Sequence, residues 1–542
     1  MMKNKYLKVT LVFVIAIASY SFQDKFFEVA KHIEIYNTLF KELNKYYYNE
    51  ISPAEFTNKA IKNTLQNLDP YTNYYNAQDV EDARIRREGE YGGIGVSVFY
   101  SKQGITISEI YKEYPADKAG LKVGDLITEV NGQSLKGLER DQLSMQLKGN
   151  PKKPLNLKVN RLGKTVDFNL ALDKITVNPV PFFDMINEDT GYIVLTRFNA
   201  KASKEVKKAF KSLKDKGMKK LVFDLRSNPG GSLFESINIS NFFLPKGSLI
   251  VTTKGKIKKM TKTYKGNKEP LDLEIPIVVL INGRSASASE IVSGSLQDYD
   301  RAVVLGERSF GKGLVQRYFP LTYGTQAKIT ISKYYTPSGR CIQELDYANR
   351  DSKTNKVPKF SDGIVNSFTT TNGRKVFDGG GVMPDVKINR TQQNDNTKGL
   401  LRSRAIFNFA TNYVAKNSSI NIENFKMSNS DFQDFQEYLK KTDTAFTIKQ
   451  ERLFKKAFLA TDKNQKITRE YQQIISKIKE EKVVSVTENK DVIVERIEDE
   501  VLKRFFYKKG VYQYHLKNDK TIKQASELLS NSKKYRQILE KK

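Results

Sequence analysis

Three serines stand at alternate positions, Ser285, Ser287 and Ser289, in the run RSASASEIVSGSLQD, and Lys312 follows within GERSFGKGLVQ. A serine hydroxyl becomes a nucleophile when a neighbouring base takes its proton. The chain has only two histidines, His32 and His515, at opposite ends of its 542 residues, which argues against a Ser-His-Asp triad. Lysine is the available base, and it acts as one only when neutral. Its free pKa is about 10.4, and burial can lower it by several units. Gly311 and Gly313 flank Lys312 and permit close backbone approach with the lysine turned inward. If GKGLVQ is extended, Lys312 and Gln316 share a face, because strand faces repeat every two residues. Gln316 would then hold the lysine amine by a hydrogen bond without adding a charge. The residues alone do not separate the three serines, and helix N-capping accounts for any of them.

These groups need a platform. The apolar run IPIVVLING (275–283) reads as a buried strand that ends in a small-residue turn and opens a helix near Ala286. Such a turn presents a hydroxyl at the mouth of a sheet, beside helix N–H groups that favour negative charge. A second strand, LVFDLR, runs into the glycine-rich turn 224–231 (DLRSNPGG). Its amides, with that of Ala288, are candidates for an oxyanion hole, each donor contributing roughly 3–4 kcal/mol. A tight strand-to-helix turn explains the same glycines. Residues 306–312 (GERSFGK) fit seven positions of a phosphate-binding loop, but Gly313 stands where Ser or Thr should bind magnesium, and LVQRYFPL reads as a strand rather than a helix.

Further upstream, YGGIGV (91–96) precedes a strand, and its successive amides suit capture of a terminal carboxylate while a peptide adds a strand alongside. PADKAGLKVGDLITEVNGQSL, downstream, is a hairpin-and-turn segment of the kind that frames a peptide groove.

At this length several domains are expected. Residues 24–88 read as helical, with Phe26, Val29, Ile33, Tyr36 and Phe40 at helical spacing and LDPYTNYY as a turn. Strands and turns follow to about 172, with a short helix at 137–149. From 176 strands and helices alternate, which indicates an α/β core with buried, largely parallel strands. The polar stretch 391–399 reads as a linker, and 400–542 as a Lys-rich helical region without a readable motif. The net charge of +30 comes from lysines spread along the whole chain, and no nucleic-acid-reading module is present, so no nucleic acid is expected as a partner. The single cysteine, Cys341, rules out an internal disulfide and a cysteine-based zinc site. Lys3, Lys5 and Lys8 precede a short apolar run, 9–18 (VTLVFVIAIA), with small residues after it. This is the pattern of a secretory signal over 1–21; retained uncleaved, it would anchor the chain to a membrane.

Taken together, LDPYTNYY, EYGGIGV, PADKAGLKVGDLITEVNG, FDLRSNPGG, NGRSASASEIVSGSLQD, GERSFGKGLVQ, YYTPSGR and GGGVMPD resemble the carboxyl-terminal processing peptidases, or tail-specific proteases, in order and spacing over about 30–390. The resemblance implies a PDZ domain at 89–172, a serine protease core at 176–390 and no metal or cofactor. It selects Ser287 as nucleophile, since the family's lysine lies 25 residues downstream, at Lys312, with its glutamine at Gln316. It maps the oxyanion donors to Ala288 and to Gly230 or Gly231, without choosing between the glycines. It assigns the carboxylate-binding loop to Gly93, Ile94, Gly95 and Val96, and hence implies protein or peptide substrates with free, apolar C-termini. An exported enzyme, periplasmic or envelope-associated, is expected. A PDZ-type adaptor on an inactive protease fold is the alternative, and it predicts a broken dyad. Cys341, where a small polar residue is more usual, and the basic tail depart from the family pattern.

Overall fold

The computed structural model describes residues 26–363, 365–389, 392–442, 446–461 and 465–540. The signal-like segment 1–21 lies outside them. The chain forms two compact units, 26–74 with 327–329, and 75–326 with the residues from 330 onward.

In the first unit a helix spans 26–46 and a second, Pro53–Gln66, starts from Ser52, whose hydroxyl accepts the Glu55 amide, with proline at the first helical position. Phe40 stacks on Phe56 at 5.7 Å. The LDPYT turn forms because the Asp69 carboxylate accepts the amides of Tyr71 and Thr72, both at 2.8 Å.

The second unit begins with the helix Ala77–Glu88 and a β-domain whose sheet takes in Val96–Ser101, Gly104–Ile110, Leu126–Val130, Pro154–Arg161 and Lys164–Ala171. Ile105, Ile107, Ile127, Leu143, Leu157 and Val159 fill its core.

Beyond it lies a six-stranded sheet in the order Phe182–Met185, Thr190–Val194, Lys220–Asp224, Ile277–Ile281, Val303–Gly306, Val386–Lys387. All pairings but the first are parallel. The central four strands lie side by side in chain order. Right-handed crossovers therefore place the connecting helices Ala202–Asp215, Leu233–Asn241 and Ala288–Asp298 on one face. That face holds Ile193, Leu221, Phe223, Ile277, Val279 and Val304. The alternate residues Tyr192, Val222, Val278, Leu280, Val303 and Leu305 need a separate cover. Ile522, Ala525, Leu528, Leu529 and Tyr535 of the helices Lys520–Ser530 and Ser532–Leu539 supply it. Two-sided burial explains why these strands read as continuous apolar runs.

The segment read as a linker over 391–399 is corrected in part. Asn394 caps a helix, Asp395–Arg402, by accepting the Thr397 amide at 2.7 Å, and Thr397 and Leu400 are buried. The polar composition concealed an amphipathic turn. The helical reading of 24–88 also missed the short strand Asn73–Tyr75. The C-terminal helices have a core of their own, with Phe409, Phe432, Phe435, Ile493 and Val501. Their longest, Lys490–Asn518, breaks at Tyr507 (φ 59°), whose hydroxyl donates to Asp117 of the β-domain at 2.6 Å. Phe407 meets Phe99 edge-on nearby. No helix of the described residues is long and apolar enough to cross a membrane.

Candidate active site

The strand Ile277–Ile281 delivers the three serines to the N-terminus of the helix Ala288–Asp298, and their surroundings differ. Ser285 and Ser289 are fully buried. The Ser285 hydroxyl donates to the Leu225 carbonyl at 2.8 Å and that of Ser289 to the Asn228 carbonyl at 2.9 Å. Both therefore stitch the serine turn to the glycine-rich turn. Ser287 is half-buried and sits at φ 56°, ψ −111°. A serine holds such a conformation only when its neighbours fix it. The fixing groups are Tyr334, whose hydroxyl donates to the Ser287 carbonyl at 3.1 Å, and Glu290, whose Oε2 accepts the Ser287 amide at 2.6 Å.

Glu290 is the residue that sequence reasoning missed. Fully buried, it accepts four donors: the Ser287 amide and the Lys312 amide (3.0 Å) on Oε2, the Ser309 hydroxyl (2.6 Å) and the Gly311 amide (2.7 Å) on Oε1. One oxygen atom thus holds the backbones of Ser287 and Lys312, which puts their amide nitrogens within about 6 Å of each other. Burial pushes the Glu290 carboxyl above its ordinary range, against the pull of the donors. A glutamate three residues into a helix was the available signal, since that position reaches back to the cap residue's amide.

Close packing on both sides of Lys312 explains its glycines. A Cβ on Gly311 (φ 83°) would stand 2.7 Å from Glu344 Cβ, and one on Gly313 would stand 2.8 Å from the Gln343 amide nitrogen. The extended-strand argument for Gln316 is corrected: the strand is Leu314–Pro320, and Lys312 precedes it in irregular backbone. Gln316 is half-buried on that strand and donates through Nε2 to Thr330 Oγ1 at 3.2 Å. Its carbonyl oxygen keeps the capacity to accept a further donor.

The glycine-rich turn packs directly on the serine turn at 286–288. A Cβ on Gly230 (φ 92°) would stand 2.9 Å from the Ala288 amide nitrogen and 3.0 Å from Ser287 Cβ. The Gly230 amide already donates to Asn228 Oδ1 at 2.9 Å. Among the described residues the amides of Gly231 and Ala288 have no acceptor, and they are the open donors beside Ser287. Asn228 organises the turn: its carbonyl accepts the Ala286 amide (3.0 Å) and the Ser289 hydroxyl.

At its far end the helix Ala288–Asp298 is anchored by Asp298, which forms a fully buried ion pair with Arg340 at 2.8 Å. This contact explains YYTPSGR. Asp385, of GGGVMPD, accepts the Val304 amide and the Gln297 side chain, both at 2.8 Å. Among the described residues no group of three or more His, Cys, Asp or Glu is placed to hold a metal ion.

In the β-domain the carbonyls of Ile94 and Gly95 in the loop 93–96 are tied back by the amides of Ala116 and Tyr111, each at 2.9 Å, and among the described residues the Gly95 amide has no backbone acceptor. Gly95 (φ 81°) lies against Tyr114, where a Cβ would approach to 2.3 Å.

The model described as peptidase family S41 matches residues 189–348, that of a PDZ domain 82–160, and that of a "probable PDZ-protease, C-terminal helical domain" 396–529. A carboxy-terminal-processing protease of Bartonella bacilliformis is 35% identical over 321 residues, covering 58% of this chain and 73% of that protein. A "probable CtpA-like serine protease" of Staphylococcus saprophyticus is 33% identical over 318 residues, 58% of this chain and 63% of that protein. Among solved structures, the photosystem II D1 C-terminal processing protease shares 24% identity over 65% of this chain and 91% of that one, at a TM-score of 0.36.

Proposed function

The chain belongs to peptidase family S41 and is a serine-type peptidase with a PDZ domain, and from that premise we propose that it cleaves proteins near their C-termini with a Ser287–Lys312 dyad. The observation that carries the proposal is the single Glu290 oxygen that holds the amides of both residues beside a glycine-rich turn with open amides.

The reaction follows from these parts. Neutral Lys312 takes the Ser287 proton as the oxygen attacks the scissile carbonyl. The resulting oxyanion lies at the helix N-terminus, where the amides of Ala288 and Gly231 are the available donors. Collapse breaks the C–N bond, Lys312 returns its proton to the leaving amine, and water then hydrolyses the acyl-enzyme. Gln316 is assigned to orient the lysine through its side-chain carbonyl oxygen.

Substrate selection is assigned to the loop 93–96, where the Gly95 amide suits a carboxylate, with Val96 starting the strand on which a peptide would add. A peptide ending in a free apolar residue is therefore expected to bind at least tenfold more tightly than its C-terminal amide, and to be cleaved faster at subsaturating concentration. Titration of both peptides and their kcat/KM values check this; equal affinity would remove the loop's role. Export to the periplasm or envelope is proposed on the basic and apolar pattern of residues 3–18.

A further inference from the structure

The turn between Asp224 and Gly231 is gripped from a part of the chain remote in sequence. Arg226 donates its amide to Asp224 Oδ1 (2.9 Å) and its Nη2 to Asp224 Oδ2 (2.6 Å), an oxygen that also accepts the Tyr192 hydroxyl (2.7 Å). The remaining arm of the guanidinium, Nη1, donates to Asp519 Oδ2 at 2.7 Å. Asp519 stands at the start of Lys520–Ser530, the helix that covers the sheet, and its other oxygen caps that helix by accepting the amides of Thr521 (2.7 Å) and Ile522 (3.2 Å). One carboxylate therefore joins the C-terminal helices to the turn.

What Arg226 holds is strained. Ser227, the next residue, sits at φ 58°, and Asn282 steadies it from the other side, its Oδ1 accepting the Ser227 amide (2.9 Å) and its Nδ2 donating to the Ser227 hydroxyl (3.2 Å). Asn228 follows, with its contacts to Gly230, Ala286 and Ser289. Arg226 is two residues from Asn228, whose side chain orders the glycine turn and whose carbonyl holds the serine turn. Its two carboxylates set its position as a pair; Asp224 alone, on the same strand, leaves one arm free.

We propose that Asp519, acting through Arg226, is a positioning residue for the oxyanion-binding turn 227–231, so that the C-terminal helical region takes part in catalysis as well as covering the sheet. The proposal rests on the reading of that turn as the oxyanion site.

The test is Asp519→Asn in the full chain. Asparagine caps a helix as well as aspartate does, so the cover helix keeps its start while Arg226 loses its charged partner. The expected result is a kcat lower by about tenfold with KM little changed. Affinity for a peptide aldehyde, which forms a tetrahedral adduct on the nucleophile, should fall by the same factor. The affinity of the PDZ domain for a carboxylate peptide should hold, Tm should fall by only a few degrees with the lost contact, and Asp519→Glu should recover part of kcat. Wild-type kcat and aldehyde affinity in Asp519→Asn would overturn the proposal, as would a loss that tracks only a lowered Tm. A wild-type enzyme that forms no aldehyde adduct would instead overturn the oxyanion reading on which the proposal stands.

Discussion

Lys312→Arg is expected to lower kcat by about 10²–10⁴-fold while leaving peptide binding at the PDZ domain unchanged. Arginine keeps the positive charge and much of the length, but it does not give up a proton in a protein. The lysine's backbone is held independently of its side chain, by the Lys312 amide on Glu290 and by the close packing of Gly311 and Gly313. The platform should therefore survive the change. Lys312→Ala should lose as much. Steady-state kinetics on one peptide, with Tm as a control for folding, separate the two roles a lysine can play. Activity retained in the arginine variant would mean that the side chain contributes charge and not proton transfer.

The second large effect is expected at Glu290. Glutamine has the same shape but offers one acceptor oxygen and presents an NH2 group where four donors converge. Buried donors left unpaired cost about 1–3 kcal/mol each, so Glu290→Gln should be destabilised by at least about 2 kcal/mol. Displacing Ser287 against Lys312 by an ångström should cost roughly 10²-fold in kcat. Denaturant melts and kinetics on the same preparation check both; a variant with wild-type stability and kcat would show that the clamp does not set the geometry. The pH dependence has a definite sign. Because burial holds the Glu290 carboxyl above its ordinary value of 4.5, it takes up a proton at a higher pH than an exposed carboxylate does. Protonation turns an acceptor into a donor, so kcat should fall on acidification through that window. Linkage gives stability the opposite trend: a raised folded pKa makes this group's contribution complete below the unfolded value and lost as pH rises through the folded one. Activity and this part of the stability should move in opposite directions.

Much of this arrangement was legible in residue order. Continuous runs of Val, Ile and Leu marked the parallel strands because both faces are covered, and the alternation of strands with Ala202–Asp215, Leu233–Asn241 and Ala288–Asp298 follows from crossover geometry. The choice among Ser285, Ser287 and Ser289 was not legible from chemistry, since all three are small cap-forming residues. Burial and partners distinguish them, and those depend on Leu225 and Asn228, about sixty residues away. Glu290 was hidden for a related reason: four of its contacts come from two turns that only the sheet brings together. The helical reading of 400–542 did not reveal that 520–539 covers the sheet, because a helical pattern has no signature for what it covers. The Lys312–Gln316 parity argument assumed an extended backbone from Gly311, whereas the strand begins at Leu314, the Gly313 amide donating instead to Gln343 Oε1 at 2.8 Å.

The central claim is that Ser287 is the nucleophile and Lys312 its base. Reaction with a fluorophosphonate, followed by peptide mapping in a mass spectrometer, tests it most directly, because the reagent marks an activated serine without relying on any substrate. A single adduct on Ser287, absent from the Lys312→Ala protein, is the predicted result. An adduct on Ser285 or Ser289, or undiminished labelling of Ser287 without Lys312, would contradict it.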